Sequence, residues 1–79
     1  MNYVATFYTH FAAIRSQRSL KALGLAARLA PVPRVLSSSC GTCVFYTADD
    51  PHLDVLDRDT EQVALLQDDG TYSIIQQNT

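Results

Sequence analysis

The stretch from Thr9 to Gly24 constrains the fold more than any other, because a helix is written into it at both ends. Thr9 suits the N-cap, since its hydroxyl can accept a free backbone N–H of the first turn. Gly24 suits the left-handed residue that follows a helix. Between them Ala13, Ser16, Leu20 and Leu23 fall at i, i+3, i+7 and i+10, one face of a 3.6-residue period. Arg15, Arg18 and Lys21 fall on the other face. The spacing predicts an amphipathic helix over His10–Leu23 with a basic, solvated stripe.

Strand-like runs flank this helix. Asn2–Tyr8 is rich in β-branched and aromatic residues and free of Gly and Pro, which reads as a first strand. Leu25–Val32 alternates loosely and reads as a second, broken by Pro31 and Pro33, which cannot donate to a ladder. Arg34–Gly41 is a polar, Ser-rich turn, and Thr42–Ala48 reads as a third strand. Asp49-Asp50-Pro51 suits the start of a short helix reaching about Leu56, with Pro in the first turn and acids at the positive end. Glu61–Gln67 and Thr71–Gln77 flank Asp68-Asp69-Gly70, a hairpin signal. Asn78 and Thr79 are expected to fray.

A helix between two parallel strands crosses over on one face of a sheet. The third strand then returns antiparallel, beside the second or between the first two. The expected class is α+β: a two-layer sandwich of ferredoxin-like βαββαβ type with a C-terminal β-hairpin. With 79 residues the chain is one domain, spanning 1–79, too small for a deep substrate pocket. Its apolar content of 47% is that of a folded globule. No run approaches the roughly 20 apolar residues of a membrane span. The start lacks the basic and apolar regions of a signal peptide, so a cytoplasmic location is expected.

Charge is segregated along the chain. Residues 1–48 hold five basic side chains and no acid, whereas residues 49–79 hold eight acids and one base. Folded together, the halves attract each other and leave a basic and an acidic side. The net charge of −2 argues against general nucleic-acid binding.

The chemistry concentrates in Ser37-Ser38-Ser39-Cys40-Gly41-Thr42-Cys43. Two cysteines in a cytosolic chain do not suggest a structural disulfide framework, and their spacing of three favours joint chemistry or shared metal ligation over two unrelated core thiols. The parallel first and second strands finish at one sheet edge, where the helix begins and the Cys40 turn lies. A helix N-terminus stabilises a thiolate, the nucleophilic form of cysteine. Arg34 in the same connection can add positive charge, and His10 on the first helical turn can exchange a proton. The serines, Ser39 among them, offer hydroxyls and backbone N–H groups, or serve only to form the turn. Gly41 supplies a backbone angle that other residues avoid and leaves room for a partner to reach the sulfur.

Cys43 has two readings: a small buried hydrophobe facing the same way as Phe45, or a resolving thiol that attacks a disulfide or persulfide on Cys40. The C-x-x-C spacing fits thiol–disulfide exchange, half a zinc site or sulfur transfer. Zinc needs two further ligands, and His10 and His52 lack ligand spacing to the cysteines. No metal site within one chain is therefore expected, which leaves a metal shared across a dimer open, and no cofactor is expected.

Tyr3-Val4-Ala5-Thr6-Phe7-Tyr8-Thr9-His10-Phe11 and Pro31-Val32-Pro33-Arg34-Val35-Leu36-Ser37-Ser38-Ser39-Cys40-Gly41 resemble the Se/S carrier protein-like family of small bacterial domains. The likeness covers about residues 2–48. It implies a carrier rather than a stand-alone enzyme: Cys40 holds sulfur or selenium as a persulfide or selenosulfide, and donor and acceptor proteins are the partners. Cys43 departs from the family pattern, which favours Cys40 as the principal thiol. The competing readings are a dithiol redox or sensing module using Cys40 and Cys43, and a protein-interaction domain using the basic stripe or the acidic tail.

Overall fold

Five consecutive residues, Tyr3 to Phe7, are buried, whereas a strand at a sheet margin buries only one face. The computed structural model, which describes residues 1–78, explains this: the strand is central. The elements run β1 (Asn2–Phe7), α1 (His10–Ala22), β2 (Ala26–Pro31), β3 (Thr42–Thr47), β4 (Thr60–Leu66) and β5 (Tyr72–Gln77). They form an α+β fold with one helix and a five-stranded sheet ordered β2-β3-β1-β4-β5. Every neighbouring pair is antiparallel, so β3 lies between the parallel β1 and β2.

Alternation sorts the core onto two faces. Tyr3, Ala5 and Phe7 of β1, with Val44, Tyr46 and Val63, face α1, which contributes Ala12, Ala13 and Leu20. Val4, Cys43 and Ala64 point to the other face, where Leu36 of the β2–β3 connection covers them. Pro31 completes the β2 ladder opposite Thr42, which is tolerated because β2 is an outer strand.

The helix caps are as the sequence predicts. Thr9 Oγ1 accepts the Ala12 N–H at 3.1 Å, and Gly24 has φ +85°. Arg15, Arg18 and Lys21 are exposed. Leu23 departs from expectation: it is the C-cap and stands half exposed, because α1 stops one residue early. Tyr8 likewise lies outside β1, exposed, with its N–H on the Asp59 carbonyl.

The βαββαβ expectation fails at its second helix. Residues 48–59 form turns instead. The Tyr46 hydroxyl donates to the Pro51 carbonyl at 2.6 Å and withdraws it from any helical ladder. His52 takes a left-handed φ of 51°, with its N–H on the Asp50 carboxylate at 2.7 Å. Val55 and Leu56 nevertheless pack into the helix-side core. The Asp57 N–H donates to the buried Ser16 hydroxyl at 2.8 Å, and Arg15 pairs with Asp57 at 2.7 Å. A turn-rich strap thus lies beside α1, and the basic and acidic halves meet there.

The hairpin forms around Asp68-Asp69-Gly70, with φ +88° at Gly70 and the Gln67 N–H on the Thr71 carbonyl. Asn78 does not fray. Its N–H donates to the Glu61 carbonyl at 2.9 Å, and its side-chain amide to the Thr60 carbonyl at 2.7 Å. Thr79, the other residue expected to fray, lies outside the described residues.

Candidate functional site

Phe7 closes β1 and Pro31 closes β2 at the edge where α1 and β3 begin. The β2–β3 connection, residues 32–41, closes on itself there through the Val32 N–H to the Gly41 carbonyl at 3.2 Å. Leu36 anchors it in the face away from the helix.

The serines are held from three sides. The Ser37 carbonyl accepts the Gln62 side-chain amide at 2.9 Å. The Ser38 hydroxyl donates to the Phe7 carbonyl at 3.3 Å. Ser39 gives both its N–H and its hydroxyl to the Glu61 carboxylate, each at 3.1 Å. A segment that reads as a polar turn is therefore fastened to β1 and β4 before it reaches the thiol. Glu61 and Gln62 escaped the sequence reading. The only local sign of them is two polar residues opening an otherwise apolar run.

Cys40 is half-buried, a free thiol packed against the helix-side core, with its Sγ 3.5 Å from the Thr42 carbonyl. The Thr42 hydroxyl in turn meets His10 Nδ1 at 2.8 Å. The first turn of α1 and the Cys40 turn are thus brought together, as the topology predicts. Gly41 has φ +74°, and a Cβ there meets nothing within 4 Å. The backbone angle requires this glycine, and the space beside it is open. Arg34 is exposed in the turn after Pro33, and among the described residues it makes no hydrogen bond to the Cys40 turn.

Cys43 sits on the opposite face. It is fully buried with Val4, Leu36 and Ala64, and its thiol donates weakly to the Pro31 carbonyl at 3.6 Å. Burial pushes the thiol up to about 11, an effect that Arg28 offsets in part and Cys40 adds to. At neutral pH it is a protonated, packed side chain. Cys40 and Cys43 are both free.

An open groove of about 560 Å³ lies at the far end of the sheet, where Lys21, Arg28, Phe45 and Thr47 line it. The Cys40 edge is a held turn. Among the described residues no three His, Cys, Asp or Glu side chains are grouped to hold a metal ion. Among the described residues no helix is long and apolar enough to cross a membrane.

A family model described as "Putative Se/S carrier protein-like" matches residues 2–56. The match takes in β1, α1, β2, the Cys40 turn and β3, and stops short of β4. No curated protein and no solved structure matches the chain.

Proposed function

The chain belongs to the Se/S carrier protein-like family, and from that membership we propose that Cys40 is the atom that carries the cargo. The observation behind this reading is the fastening of the turn. Ser37, Ser38 and Ser39 are each tied down, yet Cys40 that follows them is only half-buried and its sulfur is in no disulfide. Immobilised backbone and accessible thiol are what a carrier needs from so small a body.

Loading follows from thiolate chemistry. The Cys40 thiolate attacks the outer sulfur of a donor persulfide, R–S–SH. The new bond joins Cys40 Sγ to that sulfur, the donor S–S bond breaks, and R–S⁻ leaves. The Cys40 proton passes to solvent, and His10 and the Thr42 hydroxyl lie at the same edge. With a selenium donor the product is Cys40–S–SeH. Delivery to an acceptor thiolate is the same exchange run onward, so no external oxidant or reductant is consumed. Partners on this reading are a donor and an acceptor protein, in a reducing compartment such as the cytoplasm that keeps the thiol free.

The burial of Cys43 on the other face favours the core reading of that residue over the resolving one. Intact-mass measurement after incubation with a persulfide donor tests the proposal. One added chalcogen atom on Cys40, absent in Cys40→Ser, is the expected outcome. A Cys40 that stays unmodified with both sulfur and selenium donors rejects it.

A further inference from the structure

Two adjacent residues of β4 serve one loop, which a regular strand does not allow, because neighbouring side chains point to opposite faces. Gln62 reaches the Ser37 carbonyl and Glu61 reaches Ser39. The cause is a bulge. Thr6 pairs with Gln62 and Phe7 with Thr60, so Glu61 is the extra residue. A bulge bends its strand and re-aims a side chain. On the other margin of β4, Asn78 follows β5 and takes up the carbonyls of Thr60 and Glu61. The Tyr8 hydroxyl then ties Asn78 back to the end of β1 at 2.7 Å.

We infer that Glu61 is a positioning residue for Cys40: the bulge aims its carboxylate at Ser39 and fixes the peptide that leads into the thiol. The inference rests on the carrier reading of Cys40. One carboxylate oxygen takes the Ser39 N–H and the other takes its hydroxyl, which sets the position and the rotation of that residue together. An ionised acceptor makes these bonds stronger than neutral ones. Glu61 also lies beyond the matched residues 2–56, so this support for the loop comes from a part of the chain outside the family region.

The test compares the full chain with Glu61→Ala and Glu61→Gln. Amide hydrogen exchange at Ser39 reads the loop, and exchange at Val4 in central β1 is the control. Uptake of sulfur from inorganic polysulfide, followed at Cys40 by site-resolved mass spectrometry, reads function. Glu61→Ala is expected to speed Ser39 exchange about tenfold with Val4 unchanged, and to slow loading about fivefold. Glu61→Gln keeps a carbonyl for the N–H and an amide for the hydroxyl, and is expected to stay within about twofold of the parent on both. Unchanged exchange or unchanged loading in the Ala variant overturns the inference. So does a Gln variant as impaired as Ala, or Val4 exchange that rises along with Ser39. A parent chain that takes up no sulfur rejects the carrier reading, and the exchange rates then still decide whether Glu61 holds the loop.

Discussion

Cys40 and Cys43 address opposite sides of the sheet: Cys40 packs toward the α1 core, and Cys43 is sealed under Leu36 on the other face. Only Gly41 and Thr42 lie between them in sequence, yet their side chains join different core clusters. The first prediction follows. Cys43→Ala is expected to leave Cys40 loading intact while lowering stability by about 1–2 kcal/mol through lost packing. Denaturant unfolding and site-resolved mass spectrometry check both halves. Accumulation of a Cys40–Cys43 disulfide on mild oxidation of the native chain counts against this picture.

The same burial makes stability depend on alkaline pH. The folded Cys43 thiol titrates at about 11, above its ordinary value, so folding favours the protonated form. That contribution is complete below the unfolded thiol's range near 8.5 and is lost as pH rises toward 11, on the order of 3 kcal/mol in all. Tyr46, also pushed up chiefly by burial, acts in the same direction at higher pH. Thermal unfolding between pH 8 and 11 is expected to fall less steeply in Cys43→Val than in the parent. Identical slopes refute the assignment.

At the acid end the strap beside α1 gives way. The Asp57 carboxyl is held below its ordinary range, first by the hydrogen bond from Arg15 and then by the Asp59 N–H. Its contribution is present above the unfolded carboxyl's range and disappears as pH falls through the lower folded value. Asp57→Asn is expected to flatten the acid limb of the stability profile, and Arg15→Ala to flatten part of it. Because Arg15 is exposed, raised salt is expected to shrink the difference.

Gly41 is a backbone requirement without a steric one. Ala there meets no neighbour but must hold φ near +74°, at a cost of roughly 1–2 kcal/mol. Gly41→Ala is expected to lower the melting temperature and to slow loading at Cys40. An unchanged melting temperature shows that the turn has another conformation available.

What could be read from the sequence was local. Thr9 and Gly24 announce α1 because caps act within one turn, and Asp69-Gly70 announces the hairpin for the same reason. The Cys40 turn was legible as a polar segment between two strands. The second helix was misread because Asp49-Asp50-Pro51 is a good start whose continuation is stopped from a distance, by the Tyr46 hydroxyl on Pro51. Leu23 was misplaced because the period of a helix does not say at which residue it stops. The Glu61 contact was invisible for a deeper reason. It depends on a bulge, and a bulge exists only once two strands have chosen their register.

The central position of β1 has a consequence for how such a chain can vary. Residues 2–56 supply partners for only one margin of β1, and β4 covers the other, bringing the buried Val63 and Ala64 with it. Cut after residue 56, the chain would bare that margin and lose the grip on Ser37 and Ser39 at once. The family-matched segment is therefore not self-sufficient in this protein. The hairpin is an integral support, through which the setting of the thiol can be retuned without altering any residue of the cysteine turn.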